Sequence, residues 1–322
     1  MEGTVKKILK GTGIVLLTIM AVLLLFIIIS YINHRIQLSK EDKLFVPIGR
    51  QVKVNDNIMN VYSEGDGDTT LVFMSGGGTS SPVLDFKSLY SLLSDKFRIV
   101  VVEKVGYGYS EVKDIERDID SILSDTRQAL ELANIQGPFV LCPHSMSGIE
   151  ALYWAQTYPE EISAIIGLDM SVPEAYTDYN INLPMIQLGK FAADMGITRW
   201  VKGLAESDAI KYGTLNKQEK EWYKVIFYRR TATITMINEV KQVKSNAARV
   251  GEKGTFHTPI LIFSSDGQGT GWNPEEWRGF QKDFLTKCEN GSLIPLDCSH
   301  YVHDIEYKRI SEEIILYLND IQ

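Results

Sequence analysis

A single serine held between a strand and a helix constrains this chain more than any other feature. Phe139, Val140, Leu141 and Cys142 form a short apolar run suited to a fully buried strand. The run stops at Pro143 and His144, reaches Ser145, and passes at once into 149–155, an apolar-rich stretch with helical spacing. A serine on so sharp a strand-to-helix turn is lifted above the C-terminal edge of a sheet, the geometry of a nucleophile elbow. The turn needs small residues two before and two after the serine, because the strand and helix backbones nearly touch there. The usual pattern is G-x-S-x-G; here the flanks are Pro143 and Ser147, with Gly148 one step later. The plainer reading is a serine that N-caps a helix after a strand. What separates the two is whether the other parts of a catalytic set occur in the right order.

The rest of the body alternates strand-like and helix-like segments. Strands are predicted at 51–54, 58–63, 71–74, 98–102, 139–142, 164–168, 259–263 and 292–296. Helices are predicted at 82–93, 115–133, 149–158, 274–287 and 305–318. This alternation implies an α/β fold with a mostly parallel sheet covered on both faces. Between 173 and 250 the strand runs vanish, and amphipathic segments carry Trp200, Trp222, Tyr223, Phe227 and Tyr228, which reads as a helical cap insertion. The core is then 50–172 plus 251–322.

The first 49 positions are different in kind. Positions 14–32 hold no charge and almost nothing polar beyond Thr18 and Ser30, and these nineteen residues would span roughly 28 Å as a helix. Such a run crosses a bilayer. It is too long for a cleaved signal peptide, and no small-x-small site follows it near 31–35. We therefore expect an uncleaved signal anchor in 1–35, a linker in 36–49, and a single-pass protein of the cell membrane. Lys6, Lys7 and Lys10 cluster just before the span, while Arg35, Lys40 and Lys43 follow it. The clustering favours a cytoplasmic N-terminus and an extracytoplasmic body. The first 43 residues hold six Lys/Arg against three Asp/Glu, leaving 27 against 38 in the remainder. An acidic body with no basic stripe argues against nucleic-acid binding. Three cysteines give no disulfide framework: Cys142 lies in a predicted buried strand, and Cys288 and Cys298 could pair but need not.

Four motifs, in order along the chain, carry a resemblance. Ser75-Gly76-Gly77-Gly78, Gly106-Tyr107-Gly108-Tyr109-Ser110, His144-Ser145-Met146-Ser147-Gly148 and Ser299-His300-Tyr301-Val302-His303 each follow a predicted strand. Together they resemble the α/β-hydrolase superfamily, in its capped lipase/esterase-type branch, across nearly all of 50–318. A serine hydroxyl is a poor nucleophile until a base takes its proton, and imidazole has a suitable pKa near neutrality. The resemblance assigns the base to His300, the first histidine after the last strand, and makes His303 a packing or hydrogen-bonding neighbour. The ring of His144 is expected to point away from the catalytic face. An oxyanion needs two convergent backbone N–H groups. One belongs to Met146, just after the nucleophile; the resemblance places the other on Gly77. A phosphate cradle is the competing reading of the three glycines, but Thr79-Ser80-Ser81-Pro82 lacks the lysine it would need.

The acid is the open member. Relatives commonly carry it about nine residues after the proline that starts the seventh strand, and from Pro259 that count lands on Gln268, which cannot balance an imidazolium. Some capped relatives, such as haloalkane dehalogenases, place it after the sixth strand, where Asp169 stands 24 residues beyond Ser145. The empty usual position favours Asp169, with Asp266 as the alternative. No cofactor is implied, and no His/Cys/Asp spacing suits a metal. The resemblance thus implies a membrane-anchored serine hydrolase that cleaves a carboxylic ester of a small acyl or lipid-like substrate. A serine at the elbow excludes the dehalogenase and epoxide-hydrolase chemistries, which use aspartate there. The relaxed flanks keep open a non-catalytic binding or signalling protein, and the same triad could serve an acyltransferase.

Overall fold

The computed structural model describes residues 2–252 and 256–321. An eight-stranded sheet forms the centre: β1 Arg50–Val54, β2 Asn57–Glu64, β3 Thr70–Met74, β4 Arg98–Glu103, β5 Phe139–Pro143, β6 Ile162–Leu168, β7 Ile260–Ser264 and β8 Gly291–Pro295. Their spatial order is β1-β2-β4-β3-β5-β6-β7-β8. β2 runs antiparallel to β1 and β4, and every other neighbouring pair is parallel. Each strand falls where the apolar runs predict it, within two residues at either end. β3, β5 and β7 are buried along their whole length, so only period-2 alternation decides which face each side chain serves. Val72, Val100, Leu141 and Ile262 pack with Ile149 and Leu152 on one face. Leu71, Phe73, Val101, Cys142 and Phe263 pack with Phe86, Ile310 and Ile314 on the other.

Two predicted helices change shape. The 82–93 segment breaks into Pro82–Asp85 and Lys87–Tyr90. Val83, Leu84, Asp85 and Phe86 are all fully buried, and four consecutive residues cannot share one face of a continuous helix. The break at Phe86 lets its ring pack on Phe73 while Asp85 turns toward His303. The 115–133 segment starts helical structure only at Ile119, because Asp118 caps it by accepting from the N–H groups of Asp120 and Ser121, both at 3.1 Å. The closing helix runs Tyr307–Ile321 after a short turn at Val302–Ile305. All three cysteines are free.

The Gly106–Ser110 loop is organised by one buried carboxylate. Glu103, at the end of β4, accepts from Tyr109 N at 2.7 Å and from Asn60 Nδ2 at 3.0 Å. A Cβ on Gly108, at φ +48°, would sit 1.9 Å from the Glu103 carboxylate, so glycine is required for the loop to close on it. Burial pushes the Glu103 carboxyl up to about 7 against these hydrogen bonds, from an ordinary 4.5. The folded state therefore binds more protons than the unfolded state between those values. This contribution to stability is present below pH 4.5 and lost as pH rises through 7. In urea titrations the stability of Glu103→Gln, relative to wild type, should rise by up to roughly 3 kcal/mol across that window. A difference that is flat with pH would contradict the assignment.

The regular structure in 173–250 is helical, with principal helices Leu183–Asp194, Lys217–Arg230 and Ile234–Gly251. Lys104 ties this region to the core: its buried ammonium bonds Glu150 on the helix after Ser145 and Glu239 on the Ile234–Gly251 helix. Burial opposes the charge on Lys104, but the two carboxylates outweigh it and raise its pKa.

A single helix, Glu2–Glu41, precedes the sheet and is long and apolar enough to cross a membrane. Positions 36–41, expected as linker, continue this helix, and Asp42–Leu44 add a 3-10 turn. The reason lies in the facing arginines. Arg199 donates to both Glu41 carboxylate oxygens at 2.8 and 2.7 Å and to His34 Nδ1 at 2.9 Å, while Arg229 donates to Asp42 at 2.9 Å. A bidentate arginine–carboxylate pair fixes direction as well as distance, so the helix end is docked.

Candidate active site

β5 delivers the chain to Ser145, and the helix Ser147–Thr157 carries it away. Ser145 adopts φ +53°, a left-handed conformation that costs a non-glycine residue about 1–2 kcal/mol. The surroundings hold it there. Ser145 O accepts from Ser171 N at 2.9 Å, and a Cβ on Gly148 would meet Ser171 O at 2.2 Å. The serine at 147 fits where glycine is usual because its hydroxyl finds buried carbonyls, Met74 O at 2.7 Å and His144 O at 2.8 Å. Pro143 pairs in register with Met74 at the end of β5. The altered flanks thus form the turn by other contacts.

Gly76 presses on the elbow from β3's side: a Cβ there would lie 2.7 Å from Ser145 Cβ and 3.1 Å from His144 O. Gly76→Ala should displace Ser145 and, on the serine-hydrolase reading proposed below, lower kcat/KM roughly a hundredfold, the scale of a misplacement near 1 Å. Gly189→Ala is the matched control, since nothing lies within 4 Å of its added Cβ. Equal activity of the two variants would contradict the packing argument.

His300 and Asp169 meet directly. His300 Nδ1 donates to Asp169 Oδ2 at 2.6 Å, leaving Nε2 for other work. Asp169 stands at the end of β6 with φ +50° and no solvent exposure. Its other oxygen accepts from Ser265 N and Trp277 Nε1, each at 2.7 Å. Asp266 is turned elsewhere: its carboxylate accepts from Gln268 N at 2.9 Å, within its own loop. Gln268, at the usual acid position, supplies only a backbone carbonyl, which accepts from His300 N at 3.0 Å.

Ser145, His300, Gly77 and Met146 line one cavity of about 240 Å³, together with Tyr176, Tyr179, Val240, Val243 and Trp272. Among the described hydrogen bonds none joins Ser145 to His300, and the N–H groups of Gly77 and Met146 donate to no described acceptor. Catalytic hydrogen bonds are often long until substrate is bound.

His144 departs from expectation. Its ring does not point away but lies beneath the catalytic loop, 4.5 Å from the His300 ring and 4.9 Å from that of Tyr301. Burial, reinforced by His300 and His303, holds its pKa well below 6.5, so the ring is neutral. Its Nε2–H donates to His300 O at 3.2 Å, a tautomer fixed by the carbonyl it faces.

His303 bonds Asp85 Oδ2 at 3.1 Å, and Tyr223 donates to Asp85 Oδ1 at 3.0 Å. Asp304 completes a fully buried group whose donor atoms lie within 4.8 Å of one another, the one metal-like ligand set among the described residues. Linear spacing could not show it, since Asp85 comes from a distant helix. Burial and then Asp85 push the Asp304 carboxyl well above the usual carboxylate range. Trp277 and Ser265, which hold Asp169, also left no sequence signal.

The strand order agrees with the comparisons. An α/β hydrolase fold model matches residues 69–190. The chain is 39% identical over 267 residues to the uncharacterized protein YbdG of Bacillus subtilis (strain 168), covering 81% of each chain. The chain belongs to the α/β-hydrolase fold family. It is also 24% identical over 124 residues to a 2-(acetamidomethylene)succinate hydrolase of Mesorhizobium japonicum, 38% of this chain and 43% of that one. Among solved structures, Cfl2 of Burkholderia cenocepacia superposes with a TM-score of 0.68 at 18% identity, covering 83% of this chain and 94% of that one, a likeness of fold. The family is of the hydrolase type.

Proposed function

We propose that this protein is a membrane-anchored serine hydrolase that cleaves a carboxylic ester through an acyl-enzyme on Ser145. The observation that carries the reading is the His300–Asp169 bond at 2.6 Å on the wall of the cavity that also presents Ser145. Ser145 Oγ attacks the acyl carbon while His300 Nε2 takes its proton, and Asp169 holds the imidazolium that forms. The N–H groups of Gly77 and Met146 receive the oxyanion. His300 returns the proton to the departing alcohol, then draws one from water, and hydrolysis of the acyl-serine frees the acid. The Glu2–Glu41 helix holds the body at the membrane, on its outer side by the lysine clustering.

A cavity of about 240 Å³ lies below the usual range of roughly 300–1,000 Å³ for ligand sites, which supports a short acyl arm. The test is the full-length protein in membranes, treated with a fluorophosphonate probe and then with esters of graded acyl length. Labelling and a preference for short acyl chains are expected. A folded protein that neither labels nor turns over any ester would end the hydrolase reading.

A further inference from the structure

The cap carries an apolar face beside the membrane helix. Met185, Leu188 and Phe191 share one side of the Leu183–Asp194 helix, and Trp200, Val201 and Leu204 follow in the next turn and loop. All six are between 44 and 61% exposed. Elsewhere on the body the exposed large aliphatics, Val46, Ile58, Leu92, Leu132, Leu316 and Ile321, do not form such a run.

The contacts of this face point to what covers it. The Trp200 ring lies 5.8 Å from that of Phe26, and Trp200 Nε1 donates to Ser30 Oγ at 3.0 Å. Gly196 packs so closely that an added Cβ would meet His34 Cβ at 2.3 Å and Ser30 O at 3.1 Å. Phe26 and Ser30 belong to the uncharged stretch that ends at Ile32, so Trp200 reaches six residues inside it. Six residues are about 9 Å along a helix, which matches the 5–10 Å to which interfacial apolar faces sink. The charges on this face are largely paired: Lys190 bonds Asp194 at 2.8 Å and Arg199 bonds Glu41 at 2.7 Å, so immersion strands no run of unpaired charge.

We infer that the cap is itself a membrane-contacting surface, with the Leu183–Asp194 helix and the Trp200–Leu204 loop seated in the lipid interface. Its partner is the bilayer. The Leu183–Asp194 helix starts four residues after Tyr179, which lines the Ser145 cavity. The inference rests on the proposed membrane span, and the experiment separates the two.

Cysteines at positions 16, 188 and 283, made one at a time as Leu16→Cys, Leu188→Cys and Asp283→Cys in a Cys288→Ser/Cys298→Ala background that keeps only the fully buried Cys142, are labelled with an environment-sensitive fluorophore. The full-length chain is then placed in nanodiscs with doxyl-labelled phospholipids. Leu16→Cys reports the span and should be quenched by lipid spin labels set deep in the acyl chains. Asp283→Cys should be quenched only by aqueous iodide. Leu188→Cys is expected to be quenched severalfold more by lipids labelled near the headgroup than by iodide. Quenching at 16 with iodide-only quenching at 188 overturns the inference and leaves the span standing. Iodide-only quenching at both overturns both. Energy transfer between labels at 188 on two chains, without lipid quenching, overturns it in favour of a second copy.

Discussion

Ser145→Ala should lower ester turnover by roughly 10⁴-fold or more and abolish fluorophosphonate labelling, with little change in stability. Both side chains must accept φ +53° at this position, so the backbone strain is common to the two proteins. What is lost is the hydroxyl alone. The N–H groups of Gly77 and Met146 remain and account for residual rate above water. Because Ser145 and His300 act as a unit, Ser145→Ala/His300→Ala should be no slower than either single variant, within about threefold. Thermal unfolding of the full-length chain in detergent checks that each variant is folded. Undiminished labelling of Ser145→Ala would move the nucleophile elsewhere.

The sheet was legible because its strands are apolar runs bounded by glycine, proline and polar turns, and local pattern decides such elements. The elbow, the Gly77 loop and His300 were legible because each lies at a strand end, within a few residues of its signal. What the sequence hid depends on packing between distant segments. The break at Phe86 follows from burial on all sides, and burial on all sides has no periodicity. The docking of 36–44 depends on Arg199 and Arg229, more than 150 residues away. The direction of the His144 ring depends on His300 and Tyr301, more than 150 residues away. The choice between Asp169 and Asp266 had the same character: counting along the chain locates a strand end, but not which carboxylate faces the imidazole.

Asp169→Asn should lower kcat by about 10⁴-fold, while Asp266→Asn should stay within about threefold of wild type. The hydrogen bonds around Asp169 dictate which way the amide must turn. Oδ1 accepts from both Ser265 N and Trp277 Nε1, so an asparagine keeps its carbonyl there to satisfy two buried donors. Its NH₂ group then occupies the place of Oδ2 and donates to His300 Nδ1. The imidazole must answer by carrying its proton on Nε2, the atom needed to accept the Ser145 proton. The variant would be folded, with serine and histidine both present, and inactive because the tautomer is wrong. Asp266 has no such hold on the ring, since its carboxylate serves Gln268 N inside its own loop. Turnover measured on the best ester of the panel decides between them: a large loss in Asp266→Asn beside a near-normal Asp169→Asn would reassign the acid, whereas a tautomer effect predicts that fluorophosphonate labelling slows in parallel with kcat in Asp169→Asn alone.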